Sequence, residues 1–145
     1  MFGVREDYAL RVLVDLASRS DGRPVQSGEL AQRHQIPSAF LDQILLQLRR
    51  GGVVRSVRGA SGGFLLAHQP AEITLASILQ VLHGELELFK TAEEPPQRTA
   101  DSCAVLAFWE DLQADFSRKL ENTTLQDLVD RQKEMEAARA LMYYI

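Results

Sequence analysis

Hydrophobic positions near the start of the chain recur with the period of an α-helix. In the segment REDYALRVLVDLASRS, the polar residues Asp7, Arg11, Asp15 and Ser18 fall on one stripe, and most of the remaining positions are apolar. This pattern predicts a mostly buried helix that carries a single polar stripe.

Two further helical segments follow, and only three residues separate them. We expect Ser27 to cap a short helix in VQSGELAQRHQ and Ser38 to cap the helix in SAFLDQILLQLRRGG, which ends at Gly51 and Gly52. The intervening QIP leaves room only for a tight turn, so the pair is predicted to be a helix-turn-helix. The inward face of its second helix is predicted to consist of Leu41, Ile44, Leu45 and Leu48.

The next two apolar runs are short enough to be strands. VVRSV and FLLA flank the sequence RGASGG, whose glycines allow a tight turn, and together they predict a β-hairpin. A phosphate-binding glycine loop would open a helix, whereas a strand follows here. A hairpin directly after a helix-turn-helix predicts a winged helix, although a solvated hairpin with scattered arginines is the alternative.

The second half of the chain is mostly helical in pattern. Thr74 and Gly84 are the expected cap and stop of TLASILQVLHG, and the polar, proline-containing EEPPQRTADS predicts a loop. One or two long helices should follow, and the first has a large apolar stripe. Such a stripe fits a core, but a long helix in so short a chain also fits an interface with a second copy. The predicted dimerisation residues are Val105, Phe108, Trp109, Leu112, Phe116 and Leu120.

Composition and charge narrow the possible functions. The chain has 145 residues, 46% of them hydrophobic, and neither a long apolar run nor a signal-peptide pattern, so we expect a cytoplasmic protein without a membrane segment. Residues 1–70 contain nine arginines and six acidic residues, a net charge of +3, whereas residues 71–145 carry −7. The basic half is expected to face a polyanion.

The motifs resemble those of the Rrf2 family of bacterial winged-helix transcription regulators. The similar segments are DYALRVLVDLA, ELAQRHQIPSAFLDQILLQLRRGGVVRSVRGASGGFLLA, ITLASILQVLHG, CAVLAFW and NTTLQDLV. The resemblance implies a mainly α fold with a small β-hairpin, and a homodimer that binds double-stranded DNA at a roughly palindromic operator. It divides the chain into a DNA-binding domain at 1–84, a variable sensor loop at 85–103 and a helical dimerisation region at 104–145.

The winged-helix interpretation assigns roles to individual side chains. The helix that begins at Ser38 should enter the major groove, where Gln43 is the expected adenine reader and Asp42 can accept a hydrogen bond from cytosine. Phe40 could contact a thymine methyl group or pack against the first helix. Arg58 at the wing tip could reach a narrow minor groove. The complete set of expected DNA contacts is Ser27, Ser38, Ala39, Phe40, Asp42, Gln43, Arg49, Arg50, Arg55, Arg58, Gly59, Ala60, Ser61 and Gly62.

The sensor region departs from the family pattern. Cluster-binding members carry three cysteines, but this chain has only Cys103, with Thr91 and Gln97 near the other two places and Leu106 where some relatives have histidine. One thiolate cannot hold an iron–sulfur cluster, so no cofactor and no metal site is expected. Cys103 at a helix start could instead be redox active or simply half buried. An atypical ligand set that recruits Asp7 of a partner chain is the alternative.

Three classes of function follow from these observations. The first is a sequence-specific DNA-binding regulator, expected to be a repressor with an unknown protein or small-molecule effector. The second is a regulator that acts mainly through a partner enzyme. The third, a small enzyme, has no support, because no nucleophile with a neighbouring base, no paired carboxylates and no metal motif occur.

Overall fold

The computed structural model describes residues 2–19, 21–88 and 100–144, and the side chains within these ranges except those of 100–103. The described part contains six α-helices and one antiparallel hairpin, which confirms the predicted fold class. A short 3₁₀ helix precedes the fourth helix. The elements are α1 (Val4–Ser18), α2 (Ser27–His34), α3 (Ser38–Arg50), β1 (Val54–Val57), β2 (Gly63–Leu66), the 3₁₀ helix (Pro70–Glu72), α4 (Leu75–His83), α5 (Ala100–Asn122) and α6 (Leu125–Tyr143).

One apolar core joins the helix-turn-helix, the hairpin and the start of α6. The four leucine and isoleucine residues expected on the inward face of α3 are all buried, and they pack with Val12 and Leu13 of α1. Leu30 of α2 and Leu125 of α6 are also fully buried in this cluster. Burying a leucine contributes about 1.5–3 kcal/mol, so this cluster fixes the position of α3.

The turn between α2 and α3 has the predicted length and a specific conformation. Gln35 adopts the left-handed region with φ at 53°, and its N–H bonds back to the end of α2. Ile36 is buried, and Pro37 supplies the carbonyl that accepts from Leu41 N at 3.0 Å. This anchored turn fixes the angle at which α3 leaves α2.

The two expected serine caps are wrong by one residue. Gln26 and Pro37 are the N-caps of α2 and α3, and Ser27 and Ser38 are the first helical residues, without a side-chain capping bond. The reason is that Gln26 and Pro37 already have extended backbones, so the helices begin directly after them. The cap at Thr74 is confirmed, because its hydroxyl accepts from Ser77 N.

The polar stripe of α1 contains a residue that is buried. Asp15 is only 9% exposed, and it contacts Arg19 at 3.1 Å, Arg33 at 3.1 Å and His34 Nε2 at 2.8 Å. Burial by itself raises the pKa of Asp15, but hydrogen bonds from His34 and Arg19 and the charge of Arg33 outweigh it and hold the pKa below its usual value. Asp15 therefore joins α1 to α2 as an ionised carboxylate.

A second buried acid joins α1 to α4. Glu6 accepts a hydrogen bond from Gly3 N at 2.8 Å and lies 3.6 Å from His83 Nδ1. Its neighbour Arg5 donates to the carbonyl of Leu82 at 2.8 Å, near the end of α4. Burial raises the pKa of Glu6, yet the backbone hydrogen bonds and Arg5 lower it overall.

The C-terminal helices are attached to the winged helix at their junction. Leu75 N donates to Thr123 O at 2.8 Å, and Leu125 N donates to Ile73 O at 2.9 Å. From this junction α5 packs on α4 and α6 packs on α1. The division of the chain at 84 and 104 stays a prediction, although the core includes Leu125 from beyond it. Across the described residues, no helix is sufficiently long and apolar to cross a bilayer.

Candidate nucleic-acid interface

The outer face of α3 consists of small and polar side chains at its N-terminal end. Ser38, Ala39, Asp42 and Gln43 are exposed, while the opposite face of the helix is in the core. The first turn of α3 has no acidic residue that would offset its positive helix-dipole end. This end of α3 can approach a groove with its amides and the three exposed hydrogen-bonding side chains Ser38, Asp42 and Gln43.

Phe40 is held by the protein itself. Its ring lies 5.9 Å from the ring of Tyr8 in an edge-on arrangement, and it packs against the core from a half-buried position. Of the two interpretations of Phe40, packing against α1 is the one observed. The aromatic pair fixes the N-terminal end of α3 relative to α1.

The hairpin forms the wing, with the predicted strands in register. Val54 pairs with Leu66 and Val57 pairs with Gly63, which leaves residues 58–62 as the tip. Arg55 lies on the first strand and Arg58 at the start of the tip, and both are exposed. The tip residues Gly59, Ala60 and Ser61 are exposed as well, and Gly59 has φ at 111°.

Gly62 differs from the other predicted contacts because it is buried. A Cβ on Gly62 would overlap the carbonyl oxygen of Val57, and a Cβ on Gly63 would overlap the backbone of Val25. These glycines therefore permit close backbone packing within the wing. The predicted role of Gly62 as a surface contact is corrected to a structural role in the turn.

Three residues that position the wing escaped the sequence analysis. Val25 exchanges backbone hydrogen bonds of 3.0 and 2.8 Å with Phe64, and Gln26 Nε2 donates to Ala60 O at 3.3 Å. The wing is thereby fastened to the start of α2. In the sequence, the adjacent glycines at 62 and 63 were the feature that could have predicted this attachment, since a second glycine beyond the turn indicates that another backbone lies close to it.

The basic side chains around α3 and the wing differ from those arginines that form ion pairs within the chain. Within the described ranges, the arginines at 49, 50, 55 and 58 are exposed and have no acidic side chain within ion-pair distance. By contrast, Arg11, Arg19, Arg33 and Arg118 each pair with an aspartate. Unpaired arginines around α3 and the wing leave positive charge available for phosphates.

The predicted dimerisation stripe is divided between two environments. Phe108 is 57% exposed and Leu112 37% exposed, and Val105 is exposed on the same face of α5. Leu120 is buried in its own chain against Ala76 and Leu79 of α4, so its predicted role in dimerisation is corrected. The remaining two aromatic residues also have intrachain contacts: Phe116 lies 5.8 Å from Phe2, and Trp109 lies 5.1 Å from Phe108.

A helix-turn-helix followed by a basic, two-stranded wing defines a winged helix-turn-helix transcription regulator that binds DNA. The sequence model of the Rrf2 family, described as iron-dependent transcriptional regulators, matches residues 4–131. The chain belongs to the Rrf2 family, and the predicted resemblance is confirmed.

Individual relatives are similar over nearly their whole length. The protein slr0846 of Synechocystis sp., which bears the name of an HTH-type transcriptional regulator, is 34% identical over 93% of this chain and 91% of its own. The structure of CymR, the global cysteine regulator of B. subtilis, has a TM-score of 0.80 at 27% identity, covering 90% of this chain and 97% of CymR. IscR of T. potens has a TM-score of 0.77 at 29% identity, covering 99% and 96%.

The candidate ligand side chains of this chain do not fit an iron–sulfur cluster that is held by one subunit. The sequence has one cysteine, and the described residues include no group of three side chains that could bind a metal ion. Asp7, the candidate acidic ligand, pairs with Arg11 at 2.9 Å. Cys103 lies in the first turn of α5 and its side chain is outside the described part, as are Thr91 and Gln97.

Proposed function

We propose that the protein is a homodimeric repressor that acts in the cytoplasm on a roughly palindromic operator. The observation that supports this proposal is the set of four unpaired, exposed arginines around α3 and the wing. Each phosphate neutralised by such a residue releases a counterion, so binding should weaken steeply with salt. Repression follows if the operator overlaps a promoter, because the bound dimer then blocks it.

The proposed base readout lies at the N-terminal end of α3. Gln43 is exposed and can make two hydrogen bonds to adenine in the major groove. Asp42 can accept from cytosine but is repelled by phosphate, so it contributes discrimination more than affinity. We expect Ser38 and the free amides of the first turn of α3 to bind a phosphate. Arg49 and Arg50, at the other end of α3, are proposed phosphate contacts.

The wing is proposed to read the shape of the adjoining minor groove. Arg58 is exposed at the start of a tip whose neighbours are glycine, alanine and serine, so nothing bulky prevents close approach. A narrow minor groove has an enhanced negative potential, which favours an inserted arginine. The hydrogen bond from Gln26 to the wing tip should keep this arginine in a constant position relative to α3.

The test of DNA recognition is an alanine substitution at the wing tip. An operator is first isolated by selection from random duplexes with the wild-type protein. Arg58→Ala should then weaken operator binding by about 1–3 kcal/mol without changing thermal stability, since the side chain is exposed. Affinity is measured by fluorescence anisotropy at fixed salt.

Arg139→Ala is the matched control for this test, because Arg139 is an exposed arginine of α6, outside the wing. It should bind the operator like the wild type. Equal affinities for Arg58→Ala and the wild type would remove the wing from the mechanism. Failure to select any sequence would contradict sequence-specific binding itself.

We further propose that operator binding needs no iron–sulfur cluster. One thiolate per chain leaves most iron positions without a soft ligand. Anaerobically purified protein should therefore be colourless and bind the operator fully. Visible absorbance with stoichiometric sulfide would contradict this. Any redox response should pass through Cys103, so Cys103→Ser should abolish a change in affinity between peroxide and reductant.

A further inference from the structure

Gln26 occupies the N-cap position of α2, but its side chain does not cap the helix. The backbone has the extended conformation typical of an N-cap, with φ at −68° and ψ at 144°. Short polar side chains such as serine are favoured there, because their oxygen atoms accept hydrogen bonds from the amides of the first helical turn. Glutamine is not one of these favoured residues. The start of α2 therefore lacks a stabilising bond that a serine at this position could supply.

The side chain of Gln26 bonds to the wing instead. Its Nε2 atom donates to the carbonyl oxygen of Ala60 at 3.3 Å, although the two residues are 34 positions apart in the sequence. Ala60 belongs to the wing tip, residues 58–62, which also contains Arg58. Across the described residues, this is the one hydrogen bond between the tip and any residue outside the hairpin. Gln26 is therefore the polar attachment of the tip to the helix-turn-helix.

The base of the wing is held separately, by backbone contacts. Val25 exchanges backbone hydrogen bonds with Phe64, and Gly63 has no Cβ that would overlap the backbone of Val25. These contacts use backbone atoms, so they do not depend on the side chain at position 26. Removing the bond from Gln26 should therefore release the tip and leave the fold of the hairpin intact.

We propose that Gln26 is a positioning residue that determines how strongly the wing discriminates between minor grooves of different width. A narrow groove favours an arginine through its enhanced negative potential, and this gain depends on where the charge lies in the groove. A tip without the attachment would occupy several positions, and Arg58 would then bind wide and narrow grooves more equally. An attached tip also loses less conformational freedom on binding. This inference rests on the proposed function, because it concerns the same wing.

This role predicts opposite effects of one substitution on stability and on recognition. Gln26→Ser removes the donor to Ala60 and supplies a side chain that can cap α2. The variant should unfold at a higher urea concentration than the wild type, since a serine N-cap stabilises a helix. It should also lose part of its discrimination between operators. A side chain that served only the fold would change both properties in the same direction.

The first measurement is made on the full chain without DNA. Backbone ¹⁵N relaxation reports the motion of Gly59, Ala60 and Ser61 on the picosecond-to-nanosecond timescale. Their order parameters should be lower in Gln26→Ser than in the wild type, towards the value of about 0.6 that marks a flexible backbone. Gln26→Glu keeps the length of the side chain but has no N–H donor, so it should show the same decrease.

The second measurement compares two operators that differ only in the segment beneath the wing, which is an A-tract in one and G·C-rich in the other. The wild type should prefer the A-tract, whose minor groove is narrow. Gln26→Ser should reduce this preference about threefold to tenfold, the range expected for the loss of one hydrogen bond. In the Arg58→Ala background the same substitution should have no further effect, because the positioned side chain is absent. The matched control is Gln69→Ser, since Gln69 is also an exposed N-cap residue without a side-chain capping bond, at the 3₁₀ helix. It should change neither the motion of the tip nor the preference.

Several results would overturn the proposal. Equal order parameters of the tip in Gln26→Ser and the wild type would show that Gln26 does not hold it. An equal loss of preference with and without the Arg58 side chain would mean that Gln26 contacts DNA independently. Lower stability of Gln26→Ser would show that the side chain serves the fold. If the protein selects no operator, the proposed function fails, and the relaxation measurement still decides whether Gln26 holds the tip.

Discussion

At the scale of single residues, Asp15 connects the first helix to the DNA-binding unit. Replacing it with asparagine would remove the acidic partner of Arg33 and one of the two acidic partners of Arg19. Removing one member of a buried ion pair costs about 3–5 kcal/mol, but Arg33 is more than half exposed. We therefore expect Asp15→Asn to lower the free energy of unfolding by about 1–3 kcal/mol at pH 7.

The loss of stability in Asp15→Asn should depend on pH, because the pKa of Asp15 is lowered in the folded protein. A carboxyl whose pKa is depressed on folding stabilises the protein above its unfolded pKa, about 3.9, and loses that contribution as the pH falls further. Urea unfolding should therefore show a large difference in the free energy of unfolding between the wild type and Asp15→Asn at pH 7. The difference should be smaller at pH 3. The control is Asp7→Asn, whose ion pair is exposed. A difference that does not shrink with acid would contradict this role.

At the scale of elements, the wing depends on backbone contacts that only glycine permits. Gly62→Ala would bring a Cβ onto the carbonyl of Val57 at the base of the turn. We expect the tip to move, and operator affinity to fall by about 1–3 kcal/mol while the helical core stays folded. Fluorescence anisotropy measures the affinity, and circular dichroism the helix content.

Ser56→Ala is the control for the wing, because Ser56 is exposed on β1 and is not among the expected DNA contacts. It should retain most of the affinity. Equal affinity of the Gly62 variant and the wild type would show that the wing tolerates a side chain there.

At the scale of the whole molecule, the exposed face of α5 is the proposed interface between two copies. Leu112→Glu places a charge on this face, and since Leu112 is exposed, the monomer should still fold. We expect a monomer at micromolar concentration and poor operator affinity, because one winged helix then contacts only one half-site. Sedimentation velocity gives the state of association.

The matched control for the interface is Ala114→Glu, an equal change of charge at another exposed position of α5. This variant should remain a dimer. A wild-type protein that sediments as a monomer would rule out the proposed interface and, with it, cooperative binding to two half-sites.

The sequence by itself determined the local elements. The helical period, the three-residue turn QIP, the glycines after α3 and the paired strand patterns each act over a few residues, and the structure has all of them. They were sufficient to predict the winged helix, and the resemblance of the motifs to a known family indicated the family. The basic segment around the wing was also visible, since charge can be counted without coordinates.

Only the tertiary structure decided which side chains are exposed and unpaired, and therefore available for binding. Phe40 and Leu120 belong to apolar patterns that fit either an interface or a core, and contacts with Tyr8 and with α4 place both within the chain. Asp15 looked like part of a polar stripe, but Arg33 and His34, which are distant in sequence, surround it together with Arg19 one helical turn away. Whether a side chain is buried or paired depends on which other elements pack beside it. The sequence pattern around the residue does not show this.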